Sequence, residues 1–156
     1  MKTYSFLILN GPNLGQLGKR QPHIYGHKSM HDLPEMIHAC LGPDRASQIS
    51  WETDQKNSEG ALIDRLEQAK DEGTEGIVFN AGAYTHTSLA LADCLAWIEI
   101  PCVEVHLSNV WARPEVLRHQ SLIAPHCIGV IAGFGLMGYA LAVSALVEHR
   151  KRNTNT

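Results

Sequence analysis

Residues 76–109 read GIVFNAGAYTHTSLALADCLAWIEIPCVEVHLSN, and this stretch decides the fold class. It holds two apolar runs of strand length, GIVF (76–79) and CVEVHL (102–107), on either side of a helical pattern at 88–98. Strands that are apolar throughout and alternate with helices are typical of a parallel sheet covered on both faces. The stretch therefore predicts a strand, a covering helix and a second, parallel strand.

The same alternation continues in both directions along the chain. Further strand-like runs are TYSFLIL (3–9), ISWET (49–53) and IGVIA (128–132), and further helical patterns lie at 33–41, at 61–70, just after Ala112 and at 136–149. No repeat or change of composition divides the sequence. We predict one α/β domain over residues 1–150, built on a five-stranded parallel sheet, with a polar tail at 151–156.

Two helix boundaries carry local signals. Asp32-Leu33-Pro34-Glu35 has the pattern of a capping box with an early proline, and Gly42-Pro43 predicts the end of that helix. The last helix is expected to finish near His149, where a basic cluster complements the negative end of the helix dipole.

The composition excludes several classes of protein. The 156 residues are 44% hydrophobic, enough for one core, but a closed (β/α)₈ barrel needs roughly 250 residues. Lys and Arg number 13 against 16 Asp and Glu, so a net charge of -3 gives no basic field for nucleic acid or a membrane surface. No apolar run is long enough to span a membrane, and the N-terminal run predicts a buried strand rather than a signal peptide.

The four cysteines show no spacing of the zinc-site type. We expect reduced thiols and a cytoplasmic location. His23, His27 and His31 are spaced by four, but the intervening Tyr25-Gly26 argues against the continuous helix that a metal site would need. No Walker sequence is present, and GFGLMG (133–138) has no following βαβ unit, so it predicts close helix–strand packing rather than a dinucleotide site.

Ligands of open parallel sheets bind beyond the carboxyl ends of the strands. The polar residues that end the apolar runs, or lie in the segments that follow them, include Asn10, Asn13, Asn80, His86, His106 and Ser108. We expect these side chains to converge on one edge of the sheet and to form the site.

Residues 12–28 form an unusually long connection between a strand and a helix, and such loops are often functional lids. The segment contains Arg20 and Tyr25. A guanidinium near a phenol favours the tyrosinate form, which can act as a base. The alternative is that both are solvated loop residues.

Three further features have both a structural and a functional interpretation. THTS (85–88) can simply cap the next helix, or its free N–H groups can seat an anion. Glu104 and His106 alternate on one face of a buried strand, either as a satisfied core pair or as a proton donor oriented by a carboxylate. Asp93 is a charge among apolar helical residues, which indicates a subunit contact or a basic ligand.

Three long motifs together resemble one known family. LNGPNLGQLGKRQPHIYG (9–26), NAGAYTHTS (80–88) and VEVHLSN (103–109) are similar, in order, to those of the type II 3-dehydroquinate dehydratases, or type II dehydroquinases. The resemblance runs from Ser5 to Val147 and implies a flavodoxin-like fold. It also implies dehydration of 3-dehydroquinate to 3-dehydroshikimate through an enolate, without metal or cofactor, in homododecamers built from trimers.

The resemblance further implies roles for individual residues. Tyr25 removes the α proton as tyrosinate with support from Arg20, Asn13 stabilises the enolate through water, and His106 protonates the departing hydroxyl with Glu104 as its partner. This division of labour agrees with the chemistry, because proton removal beside a ketone needs a base, an oxyanion stabiliser and an acid for the leaving group.

The residues implied to contact the substrate are Asn80, His86, Asp93, Leu107, Ser108 and Arg118. Asn80 and the N–H groups of Leu107 and Ser108 hold its carboxylate, while Asp93 reaches a neighbouring subunit's site. The stretch RPEVLRHQS (113–121) is one residue longer than the family's usual form, so the arginine at the ring hydroxyls is either Arg118 or Arg113. The competing hypothesis is a non-catalytic flavodoxin-like module that binds a nucleotide or flavin.

Overall fold

Strands and helices alternate in the computed structural model, which describes residues 2–16, 19, 23 and 28–155. The strands are β1 (Tyr4–Asn10), β2 (Ile49–Gln55), β3 (Gly76–Asn80), β4 (Cys102–His106) and β5 (Gly129–Ala132). The helices are α1 (Leu33–Ala46), α2 (Glu59–Asp71), α3 (Leu89–Ile98) and α4 (Met137–Thr154). Short 3₁₀ turns, among them Gly82–His86 and Val116–His119, follow β3 and β4.

All five strands pair in parallel in the order β2-β1-β3-β4-β5. This is the flavodoxin-like order, in which the chain reverses its direction of winding between β1 and β3 and opens a crevice there. The predicted α/β fold with a five-stranded parallel sheet is confirmed. The register places Asn10 beside Asn80, so polar residues of β1 and β3 meet at one edge.

The side chains of β1 show how the three layers are built. Phe6 and Ile8 pack into the core beneath α1 and α4, whereas Leu7 and Leu9 pack into the core beneath α2 and α3. All four side chains are at most 1% exposed. A strand buried on both faces must be apolar at every position, which is why the central strands read as continuous apolar runs.

A buried hydrogen-bond network ties α4 to the carboxyl ends of β1 and β3. The Tyr139 hydroxyl donates to Asn10 Oδ1 at 2.5 Å and accepts from Asn80 Nδ2 at 2.9 Å. Burial raises the pKa of Tyr139, against the opposing effect of its hydrogen bond with Asn80. The phenol therefore stays protonated, and it fixes the two asparagines at the crevice.

The start of α1 differs from the prediction. Asp32 makes no side-chain cap of α1. It belongs instead to a capping box one turn earlier, where Ser29 Oγ accepts from the His31 N–H and Asp32 Oδ2 accepts from the Ser29 N–H at 2.9 Å. The expected break at Gly42 is present inside α1, since its φ of 75° is not helical.

The end of α4 also differs, because residues expected in the polar tail continue the helix to Thr154. Arg150 anchors the last turns through an ion pair with Glu75 at 3.3 Å. The Thr154 hydroxyl donates to the Arg150 carbonyl at 2.8 Å. Lys151 and Arg152 in the final turn complement the helix dipole. Among the described residues, none of the helices is both long and apolar enough to cross a bilayer.

Gly11 offers a test of the tight packing at the crevice. A Cβ at this position would lie 2.5 Å from the carbonyl oxygen of Ala81, whereas a Cβ at Gly60, in α2, would meet nothing within 4 Å. We expect Gly11→Ala to lower the free energy of unfolding by about 1–3 kcal/mol in urea denaturation, because backbone must move. Gly60→Ala should be neutral or stabilising by up to about 1 kcal/mol. Equal stabilities of the two variants would contradict the packing described for the crevice.

Candidate active site

The carboxyl half of β4 carries a buried acid–imidazole pair. Glu104 Oε2 lies 2.6 Å from His106 Nε2, and the two side chains are 2% and 6% exposed. Because a carboxylate only accepts, Nε2 carries the proton of this hydrogen bond. Among the described residues, nothing is hydrogen bonded to His106 Nδ1, which leaves that nitrogen for a ligand.

His86 lies beside this pair, with ring centroids of His86 and His106 6.1 Å apart. Its Nδ1 is 2.5 Å from the Gln120 carbonyl, so Nδ1 carries a hydrogen and Nε2 of the neutral ring is an acceptor. Burial lowers the pKa of His86; the bond to Gln120 opposes this shift, and the charge of Arg118 adds to it. A neutral His86 can accept a hydrogen bond from a hydroxyl.

These histidines open into a cavity of about 130 Å³ at the carboxyl edge of the sheet. Its lining includes seven of the residues predicted from the sequence: Asn13, Asn80, His86, His106, Leu107, Ser108 and Arg118. Glu104 lies behind His106, where it borders a smaller cavity of about 50 Å³. The structure thus brings most of the expected residues to one place.

Asn80 presents its amide in a defined orientation. Its Oδ1 accepts from the Gly82 N–H at 3.1 Å, and one Nδ2 hydrogen is donated to the Tyr139 hydroxyl. The second Nδ2 hydrogen is available to a ligand, since an amide nitrogen carries two. The network therefore turns a flexible side chain into a fixed donor.

Asn13 lies near the start of the loop after β1 and lines the same cavity. Its φ of 69° lies in the left-handed region, which asparagine tolerates better than most residues. The Asn13 N–H donates to Asn57 Oδ1 at 3.3 Å, and Gln55 Nε2 donates to the same oxygen at 2.8 Å. The loop is thereby anchored to the end of β2.

Both candidate arginines line the cavity. Arg113 Nη1 donates to Ser108 Oγ at 3.4 Å, and Arg118 Nε lies 3.7 Å from a Glu115 carboxylate oxygen. Arg118 also borders the smaller cavity that His86 and Glu104 share. The positions favour Arg118 as the group beside His86 and Arg113 as the group beside Ser108.

Some predicted residues do not meet in this cavity. Asp93 is exposed on the outer side of α3, away from the cavity of its own chain. Asn10 is engaged by Tyr139 and lines a neighbouring cavity of about 680 Å³. Arg20 and Tyr25 lie outside the described residues.

Two residues that hold the site were not identified from the sequence. Tyr139 lies 59 positions from Asn80 and 129 from Asn10, and nothing local marks it. Ser121 is the last residue of the stretch RPEVLRHQS (113–121), but its contact with Glu104 was not predicted from the sequence. Within the described ranges no cluster of three metal-ligating side chains occurs.

The chain is similar in sequence to one known family and to individual proteins of that family. The family described as Dehydroquinase class II matches residues 4–147. A 3-dehydroquinate dehydratase of Synechococcus sp. (strain CC9605) is 52% identical over 149 residues, covering 94% of this chain and 97% of its own. One from Jannaschia sp. (strain CCS1) is 49% identical over 145 residues, covering 93% and 95%.

A solved structure shows the same similarity in three dimensions. The type II dehydroquinase of Butyrivibrio crossotus DSM 2876 superposes with a TM-score of 0.84 at 44% identity, covering 92% of this chain and 97% of its own. The motif-based resemblance is confirmed, and the chain belongs to the class II dehydroquinase family.

Proposed function

We propose that this chain removes water from 3-dehydroquinate to give 3-dehydroshikimate through an enolate, with no metal or cofactor. The names of its relatives support the substrate. The observation that carries the proposal is the buried Glu104–His106 pair, whose second imidazole nitrogen is left for a ligand beside a set of anion-binding donors.

The arrangement at the end of β4 suits the leaving group. In 3-dehydroquinate the hydroxyl that departs shares its carbon with the carboxylate. Leu107 and Ser108 directly follow His106 in the cavity wall, so a carboxylate held by their N–H groups and by Asn80 Nδ2 brings that hydroxyl to His106. The imidazolium form of His106, whose Nε2–H is held by Glu104, then donates its Nδ1 proton as the C–O bond breaks, and water leaves.

The first step requires a base on the other side of the ring. Tyr25, as tyrosinate supported by Arg20, removes the proton next to the ketone, and the electron pair moves onto the carbonyl oxygen. Asn13 stabilises the resulting enolate through a water molecule; its position in the cavity lining supports this role. Collapse of the enolate then expels the hydroxyl.

The remaining ring hydroxyls are assigned to His86 and Arg118. Neutral His86 accepts at Nε2, and Arg118 donates from the same side of the cavity. Arg113 is assigned to the Ser108 loop, where it contacts the serine hydroxyl. This division uses both arginines without placing two guanidinium groups on one hydroxyl.

The same dehydration serves the shikimate pathway of aromatic amino acid biosynthesis and the breakdown of quinate, and the proposal covers the reaction common to both. A cytoplasmic location is part of it, supported by four cysteines that are free in the structure. No nucleic-acid or membrane partner is proposed.

We also propose that the chain works as a homo-oligomer, a dodecamer of trimers. Asp93 shares the outer side of α3 with Leu89 and Trp97, which are 68% and 52% exposed. A second apolar surface lies at the β5 edge, where Phe134 is 64% exposed. Exposed apolar groups around a charge support subunit contacts, and Asp93 is assigned to a neighbouring subunit's site.

Tyr25→Phe tests the reaction and its base together. The wild-type protein, mixed with 3-dehydroquinate, should produce the conjugated enone absorbance of the product. Tyr25→Phe should lose at least about 100-fold in kcat while still binding substrate, because only the proton acceptor is removed. Tyr84→Phe alters a partly buried tyrosine that does not line the cavity, and this variant should keep kcat.

Three results would count against this account. No product at micromolar wild-type enzyme, or a yellow preparation that retains flavin, would contradict the proposed reaction. Intact turnover by Tyr25→Phe would remove that residue from the base role alone.

Asp93→Asn tests the shared site. We expect a KM raised about 10-fold, or a smaller assembly in sedimentation velocity, because a charge at a subunit contact would be lost. Asp64→Asn, at an exposed position of α2, is the matched control and should change neither quantity. Normal KM and unchanged size in Asp93→Asn would contradict the cross-subunit role.

A further inference from the structure

Ser121 holds the carboxylate oxygen of Glu104 that His106 does not use. Ser121 Oγ lies 2.5 Å from Glu104 Oε1, while Glu104 Oε2 lies 2.6 Å from His106 Nε2. The Glu104 side chain is 2% exposed, so water has little access to it. Each oxygen of this buried carboxylate therefore has one short hydrogen bond from a protein donor.

The direction of the Ser121 hydrogen bond follows from its other contact. Ser121 Oγ accepts the Ala124 N–H at 3.0 Å. That contact uses a lone pair and leaves the single hydroxyl hydrogen for Glu104. Glu104 thus receives two donors as a carboxylate, and its plane is fixed at both ends.

We propose that Ser121 is a positioning residue for the dehydration, acting through Glu104 on His106. It keeps the carboxylate in the orientation that directs His106 Nδ1 toward the leaving hydroxyl. The inference rests on the role proposed for His106, and it adds a third member to the Glu104–His106 pair. Ser121 itself does not line the cavity assigned to the substrate.

The residues on either side of Ser121 also make hydrogen bonds that position groups of the site. The Gln120 carbonyl accepts from His86 Nδ1 at 2.5 Å, and the Leu122 N–H donates to the Thr85 carbonyl at 2.9 Å. Residues 120–122 thereby join the end of β4 to the turn that carries His86. Ser121 is the member of this segment whose side chain reaches the acid–imidazole pair.

A purely structural role is the competing explanation, since Ser121 Oγ also accepts the N–H of Ala124, the first residue of the turn Ala124–His126. The two roles separate in a double-mutant cycle. Ser121→Ala should lower kcat about 10- to 100-fold with KM nearly unchanged, because Glu104 does not touch substrate. In a Glu104→Gln background the same change should cost less than about 3-fold, since the carboxylate it orients is gone.

Conservative variants complete the test. Ser121→Thr keeps the hydroxyl, and the adjoining cavity of about 50 Å³ has room for a methyl group, so kcat should stay within about 3-fold of wild type. Ser121→Cys replaces the hydroxyl by a somewhat larger thiol that is a weaker donor, and its kcat should fall between those of the Thr and Ala variants. The kcat of Ser121→Cys takes the place of the Ser121→Ala measurement if the alanine variant does not fold.

Wild-type kcat in Ser121→Ala or Ser121→Cys, equal losses in both Glu104 backgrounds, or no rescue by Ser121→Thr would overturn the proposal. Its failure is distinguishable from failure of the proposed reaction, which wild-type turnover tests alone. A readout independent of turnover is the ¹⁵N-coupled imidazole N–H resonance of His106. Ser121→Ala should shift it and Ser121→Thr should not; an unshifted resonance in Ser121→Ala would also overturn the proposal.

Discussion

The carboxylate of Glu104 lies on β4, two residues before the end of the strand, and is almost completely removed from water. A charge in such a place is strongly unfavourable unless donors surround it, and removing one donor leaves the rest of the charge uncompensated. Ser121 and His106 supply those donors at 2.5 and 2.6 Å. The constraint fixes the imidazole ring, commits Nε2 to the carboxylate and leaves Nδ1 for the ligand. The geometry of the acid in the proposed reaction depends on this one buried group.

The sheet supplies the setting in which this pair is useful. Winding reverses between β1 and β3, and the crevice there is lined by asparagines that Tyr139 holds from α4. The next strand along, β4, ends in the acid–imidazole pair and continues directly into Leu107 and Ser108. In the proposed mechanism, the anion-binding donors and the proton donor therefore come from consecutive residues at the end of β4 and just after it. The described start of the connection after β1, residues 12–14, lines the same cavity. In the proposed mechanism the base comes from this connection and the acid from β4.

Much of the sheet and of the candidate site could be predicted from the sequence, because the patterns that indicate them are local. The strands are apolar at every position, and polar residues at the ends of those runs must share an edge of a parallel sheet. The pairing of Glu104 with His106 follows from strand alternation alone. The contacts of Ser121 and Tyr139 were missed because they join residues 17 to 129 positions apart. The end of α4 was misplaced for a similar reason, since Arg150 in its last turns pairs with Glu75, which is distant in the sequence. The outward position of Asp93 shows only in the folded chain.

In the proposed mechanism His106, oriented by Glu104 and Ser121, protonates the departing hydroxyl. A crystal structure of the Tyr25→Phe variant with 3-dehydroquinate bound tests it most directly, because substrate then persists in the site. The account predicts the substrate carboxylate at Asn80, Leu107 and Ser108, and the hydroxyl of the same carbon within hydrogen-bond distance of His106 Nδ1, with Glu104 still on Nε2. A substrate whose departing hydroxyl points away from His106, or a His106 ring turned off Glu104, would contradict it.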